Sequence, residues 1–181
     1  KRLQIPFNIH APFVDESEID SEPAGLRAVR LASEKADVIT RPDTLSIGSD
    51  QVATCNDQIL HKPKTQLAAK SQLTACSGER LAFWTAICVK YVNSGERKQH
   101  LVFSEVKLRD LTDEEIDAYL RLDDPLDCAG SFKWESLGIT LIESINTEDP
   151  TALEGLPLIA LSNILRSFGV SLPGSAYFVE D

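Results

Sequence analysis

The sequence predicts a mixed α/β fold, and three observations carry that expectation. Apolar residues recur at helical spacing in some stretches and alternate or run on as strands do in others. The two kinds of stretch follow one another loosely along the chain, and the two longest apolar runs are joined by a turn-forming tetrapeptide.

Taken in order, residues 7–11 read as a short strand, followed by the acidic loop Asp15-Glu16-Ser17-Glu18. Pro23 stands where a helix favours its first turn, and Leu26, Val29, Leu31, Ala32 and Ala36 then recur at helical spacing. That helix should end near Ile39, because Arg41-Pro42-Asp43 forces a turn. Residues 45–52 alternate as a strand interrupted by Gly48, and Asn56-Asp57 turns the chain into Ile59-Leu60. Thr65 is a good N-cap for a helix over residues 66–75, which Cys76-Ser77-Gly78 closes. The runs 80–92 and 100–108, joined by Asn93-Ser94-Gly95-Glu96, give the strongest hairpin signal in the chain. Thr112 followed by Asp113-Glu114-Glu115 is an N-cap with an acidic first turn, opening a helix through Leu122. Residues 139–145 read as another strand, and residues 157–168 as a strongly apolar helix stopped by Gly169. There is no internal repeat and no low-complexity segment.

Length and composition narrow the function classes. With 181 residues the chain fits one domain, or two small lobes sharing a core. Hydrophobic residues at 43% and charged residues at 25% describe an ordinary soluble globular protein. No apolar run approaches the roughly 20 residues of a membrane span, and no signal-peptide core opens the chain. The four cysteines, Cys55, Cys76, Cys88 and Cys128, have neither C-x-x-C spacing nor histidines in zinc-finger register, so reduced cytoplasmic thiols are expected. A net charge of −10 argues against a nucleic-acid polymer as partner, since phosphate backbones demand excess Lys and Arg. It leaves room for a small phosphorylated ligand held by a few converging lysines, with carboxylates to spare for a divalent metal. The chain contains no Met and opens on Lys1-Arg2-Leu3-Gln4-Ile5-Pro6-Phe7, which looks like a helix end running into a strand, so residues are expected before Lys1.

Five groups of residues are candidates for chemistry. Gly48-Ser49-Asp50-Gln51 puts a carboxylate near the end of an apolar strand beside a glycine, suited to metal binding or general-base work, or to a plain turn cap. Lysines in His61-Lys62-Pro63-Lys64-Thr65 could meet phosphate oxygens beside a helix N-terminus, or could be ordinary surface residues. The cluster Asp15-Glu16 with Glu18 and Asp20 is a metal candidate against the usual fate of a solvated loop. Lys35, between Glu34 and Ala36, reads by default as an exposed lysine with an ion-pair partner. In residues 127–138, Phe132 and Trp134 could stack on a nucleobase or fill a core, and Glu135 could accept two hydrogen bonds from a guanine edge. Cys128 is a weak nucleophile candidate with no histidine nearby in sequence, and His10, His61 and His100 form no metal pattern.

In this order and spacing the groups resemble a known motif series. Val14-Asp15-Glu16, Leu31-Ala32-x-x-Lys35-Ala36, Gly48-Ser49-Asp50-Gln51-Val52, Lys62-Pro63, Ser77-Gly78, Cys128-Ala129-Gly130-Ser131-Phe132-Lys133 and Gly155-Leu156-Pro157-Leu158 are similar to the motifs of the Maf family. The resemblance spans roughly residues 3–169. It implies an elongated, twisted mixed sheet with flanking helices, two lobes and a central cleft, related to inosine triphosphate pyrophosphatases. It implies a nucleoside triphosphate pyrophosphatase that clears the nucleotide pool in the cytoplasm. The Gly-Ser-Phe-Lys-x-Glu pattern ending at Glu135 resembles the 7-methyl-GTP branch, where pyrimidine-preferring relatives read Ile-Gln-Gly. A carboxylate also suits a methylated, positively charged guanine ring.

Carried onto this chain, the resemblance implies that Glu16 and Asp50 lie on the metal and water side of the cleft, with Asp50 the general base. Lys35 and Lys62 would neutralise the triphosphate, and Gln51, Lys133 and Glu135 would help fix the nucleotide. The implied metal is Mg²⁺ or Mn²⁺, and since the family often forms dimers, a homodimer is among the expected partners. The chain departs from the pattern in three places. The family's Ser-rich, Arg-bearing phosphate loop would lie before Lys1, His61 stands where glycine is usual, and Ser136 does so after the glutamate. The alternatives are the same chemistry on dTTP or UTP, and a non-catalytic nucleotide-sensing regulator of cell division.

Overall fold

Every helix expected from the pattern forms. The structure is a computed structural model that describes residues 2–174; Lys1, with which the expected opening begins, lies outside them. Helix α1 (Ala24–Asp37) starts directly after Pro23. Helix α2 (Gln66–Cys76) is capped by Thr65, whose hydroxyl accepts from the Ala68 N–H at 3.2 Å. Helix α3 (Asp113–Asp123) opens on a capping box: Thr112 Oγ1 accepts from the Glu115 N–H, and Glu115 Oε2 accepts from the Thr112 N–H at 2.9 Å. Helix α4 (Leu158–Ser167) follows Pro157 and gives way to Gly169 at positive φ. Among the described residues, no helix is long and apolar enough to cross a membrane.

Five strands make one sheet: β1 (Leu45–Cys55), β2 (Gln58–Ile59), β3 (Arg80–Tyr91), β4 (Arg97–Leu108) and β5 (Ile142–Thr147), in the order β2-β1-β3-β4-β5. The class is the mixed α/β one expected. The pairing differs, because every ladder among the described residues is antiparallel instead of mixed. The reason is topological. The helical connection through α2 joins β2 to β3, which flank β1 on its two sides and never pair with each other. The β3–β4 hairpin closes on Lys90↔Arg97, with Gly95 at φ +73° in the turn.

Two sequence expectations are corrected. Residues 7–11 form no strand among the described residues. Phe7 and Ile9 alternate but stay exposed between Pro6 and Pro12, and a short alternating run needs a partner edge to become a strand. The expected strand 139–145 begins later. Its first part is a 3-10 turn (Leu137–Leu141), stitched by a Thr140 Oγ1 donation to the Leu137 carbonyl at 2.8 Å.

The helices cover both faces of the sheet. Helix α1 packs Ala28, Ala32 and Ala36 against Val52 of β1 and Ala86 and Cys88 of β3. The alternate β3 residues Ile87 and Val89 meet Leu161 and Leu165 of α4 on the other face. Toward the far end, α2 and α3 bury Leu73, Ile116 and Leu120 with Leu81, Phe83 and Val106. Cys55, Cys76, Cys88 and Cys128 are free thiols, and burial, helped by the neighbouring Cys55, pushes the Cys76 thiol up to about 12.

Gly48 sets the α1–β1 distance. A Cβ there would stand 2.1 Å from the Ala32 carbonyl oxygen and 2.5 Å from the Ala36 nitrogen, both helix backbone. Next to it on the same face, Ser46 Oγ donates to the Ala36 carbonyl at 2.7 Å.

The helix end is tied to the hairpin by Asp37, which accepts from Lys90 at 2.7 Å and from Arg97 at 3.0 Å. The Lys90 bond, with Arg97 behind it, holds the Asp37 carboxyl below its usual range. A depressed folded-state pKa means that the contribution is present above the unfolded carboxylate pKa and lost as pH falls through the folded one. Asp37→Asn should therefore lower stability at pH 7 by no more than about 1 kcal/mol for so exposed a network, and the melting temperature with it. The difference from wild type should shrink as pH falls below the ordinary carboxylate range, and melting curves at pH 7 and pH 3 check this.

Candidate active site

A cavity of about 600 Å³ opens along the outer edge of β1. β2 pairs only with Thr54 and Cys55, so the preceding part of that edge is not covered by a strand among the described residues. Five consecutive residues, Ser49 to Ala53, consequently line the cavity. Its volume falls within the ordinary range of small-molecule sites.

Asp50 sits on the α1 face of β1, reached by Lys35 from the last turn of the helix. The Lys35 ammonium donates to Asp50 Oδ1 at 2.6 Å and lies 2.7 Å from Glu16 Oε1, joining two carboxylates from different segments. This proximity depends on Gly48, which lets the helix backbone approach the strand. Lys35 is therefore not the exposed lysine of the default reading: its side chain is 18% exposed and that of Asp50 is 11%. Burial pushes the Asp50 carboxyl above its usual range by more than the Lys35 hydrogen bond and charge pull it down. Burial also works against the Lys35 ammonium, but its hydrogen bonds to Asp50 and then Glu16 prevail, and its pKa is raised. Glu16 is held below its usual range by the Lys35 hydrogen bond, against a smaller effect of burial. The asymmetry has a plain cause: Lys35 has two carboxylates, whereas Asp50 shares one ammonium with Glu16 and is the more deeply buried of the two.

The other expected residues divide. Lys62 and Glu135 line the same cavity, as do Trp134 and Phe132. Phe132 is a wall residue, buried and edge-on to Phe83 with ring centroids 5.7 Å apart. Gln51 also lines it, but its amide is committed to the scaffold. Gln51 Nε2 donates to Thr85 Oγ1 at 3.0 Å and to the Ala152 carbonyl at 2.8 Å. Lys133 does not line the cavity. Its ammonium donates to the carbonyls of Asp123 and Asp124, at 2.9 and 3.1 Å, at the C-terminal end of α3. A lysine there satisfies orphan carbonyls and complements the helix dipole, so Lys133 anchors the segment that carries Glu135. The Lys133 N–H donates to the Tyr119 hydroxyl at 2.9 Å, and Ser136 Oγ donates to Asp123 at 2.7 Å, adding to the anchor. Cys128 borders the cavity as a thiol that burial pushes up, which makes it a poor nucleophile.

One cation escaped the sequence reading. Arg27 lines the cavity from α1, although the helical pattern had pointed to Leu26, which is 61% exposed. The spacing of Arg27, Leu31 and Lys35 at intervals of four, all three lining the cavity, is the signal that could have found it.

The charge balance bears on a metal. Four Lys and Arg residues line the cavity (Arg27, Lys35, Lys62, Lys64) against five carboxylates (Glu16, Asp50, Asp127, Glu135, Glu154). Those walls alone do not neutralise a triphosphate. No group of three or more His, Cys, Asp or Glu residues poised for a metal is present among the described residues. Two carboxylates such as Glu16 and Asp50 nevertheless suit Mg²⁺ or Mn²⁺, which take hard oxygen donors and complete their shells with waters and substrate phosphates.

With this geometry in view, comparison with known proteins gives a consistent answer. The model of the Maf-like protein family matches residues 1–168. The chain is 47% identical over 175 residues to a 7-methyl-GTP pyrophosphatase of Aromatoleum aromaticum, covering 96% of this chain and 90% of that protein. It is 48% identical over 175 residues to one of Xanthomonas oryzae pv. oryzae, covering 95% and 90%. It is 47% identical over 171 residues to one of Nitrosococcus oceani, covering 93% and 85%.

Proposed function

The chain belongs to the Maf family, and on that premise we propose that it hydrolyses 7-methyl-GTP to 7-methyl-GMP and pyrophosphate. The observation that carries the reading is the Asp50–Lys35–Glu16 cluster in the same cavity as Glu135 and Trp134. The relatives' names supply the substrate class, and the reading includes a house-cleaning role in the cytoplasm on a free nucleotide, with a homodimer as the expected assembly.

Asp50 is the general base. Its buried, upward-shifted carboxylate is a better proton acceptor than a surface aspartate, and the Lys35 ammonium 2.6 Å away favours its ionised form. It takes a proton from water as the water oxygen bonds to the α-phosphorus. The bond from that phosphorus to the bridging oxygen breaks, and pyrophosphate departs with the electron pair. Lys35 and Lys62 balance charge on the phosphate oxygens. A divalent ion bound at Glu16 and Asp50 would supply further neutralisation of the phosphates. Glu135 faces the base and favours the cationic methylated ring, and the Trp134 face contributes cation–π attraction.

Turnover in ¹⁸O-labelled water tests the bond that breaks. The label should appear in 7-methyl-GMP, with pyrophosphate unlabelled. Release of inorganic phosphate with 7-methyl-GDP would contradict the reading.

A further inference from the structure

We propose that Arg27 is a positioning residue that fixes the 15–18 segment, and with it the Glu16 carboxylate, against the Lys35–Asp50 pair. The proposal rests on the reading of this cavity as the pyrophosphatase site.

Arg27 is only 9% exposed, on the buried face of α1 among Ala28, Leu31 and Ala32. A buried guanidinium is costly unless its donors are used, and here two of them are directed at one short segment. Nη2 donates to the Glu16 carbonyl at 2.9 Å, and Nη1 lies 3.0 Å from Glu18 Oε1. The segment forms no helix or strand of its own, so side chains must hold it. Arg30 adds a longer bond to the Ser17 carbonyl at 3.5 Å, and Glu18 reaches His61 at 3.1 Å across the cavity rim. Fixing the Glu16 carbonyl fixes where its side chain starts. That side chain then meets Lys35 at 2.7 Å. Planarity matters: a guanidinium serves two acceptors at once, which a single ammonium does less well.

The test uses the full chain with Arg27→Leu and Arg27→Lys. Leucine suits the apolar face, and a melting curve for each variant shows that it folds. In ligand-free protein, a Glu-specific protease should cut at Glu16 and Glu18 about tenfold faster in Arg27→Leu than in wild type. With 7-methyl-GTP, Arg27→Leu should lower kcat about 10- to 100-fold with KM within threefold, and Arg27→Lys should recover part of that loss. A purely structural role would lower the melting temperature and leave kcat in place. Unchanged cleavage overturns the proposal whatever the substrate, and so does faster cleavage with kcat intact. If wild-type protein fails to turn over 7-methyl-GTP, the reading of the reaction fails, and the protease arm still decides whether Arg27 holds the segment.

Discussion

Replacing Asp50 with Asn is expected to lower kcat on 7-methyl-GTP by about 10²- to 10⁴-fold while leaving the fold intact. The carboxylate is the proton acceptor, and the amide that replaces it is nearly the same size but not basic. Its oxygen can still accept from Lys35, which sits 2.6 Å from the wild-type carboxylate. Stability should not fall with activity. A carboxyl whose folded-state pKa is raised contributes stability only below its unfolded pKa, and that contribution is lost as pH rises through the folded value. Once ionised, Asp50 is therefore a burden on the native state. The variant should melt at the same temperature as wild type or above it. A variant that keeps activity within tenfold of wild type would remove Asp50 from the base role.

Gly48→Ala should damage both stability and turnover. The added Cβ would fall 2.1 Å from the Ala32 oxygen, 2.5 Å from the Ala36 nitrogen and 3.0 Å from the Lys35 carbonyl carbon. None of these is a side-chain tip that can swing away. The helix must move off the strand, opening the packing of Ala32 and Ala36 against β1 and β3 and drawing Lys35 from Asp50. Overpacking against rigid backbone costs about 3 kcal/mol here, at the upper end of the usual range. For a chain of this size that corresponds to a fall of roughly 6–12 °C in melting temperature. A melting temperature within 2 °C of wild type, with full activity, would show that the close approach is not required.

The elements read correctly from the sequence are those with local signals. Thr65, Thr112 and the Asn93-Ser94-Gly95-Glu96 turn each satisfy or reverse the backbone within a few residues, and each does so in the structure. Residues 7–11 and 139–141 carry strand patterning without becoming strands, because strand formation depends on a partner that a single segment does not reveal. The antiparallel pairing was hidden for the same reason.

At the site, Asp50, Lys35 and Glu16 are separated along the chain, and their contact depends on a glycine whose purpose shows only when the helix is seen against the strand. The motif series pointed to them all the same. It gave no hint that the Lys133 ammonium is spent on the end of α3, because nothing in the spacing says which way a lysine turns. Arg27 is poorly legible in the sequence, because an arginine on an apolar stripe reads as an interruption of the stripe.

The most direct test of the central claim is kcat/KM for 7-methyl-GTP against GTP, dTTP and UTP, with Mg²⁺ or Mn²⁺, for wild type and Glu135→Gln. The account predicts that wild type prefers 7-methyl-GTP and that Glu135→Gln narrows the preference about tenfold or more, the worth of one favourable charge contact with the cationic base. Equal or better turnover of dTTP and UTP by wild type would contradict it.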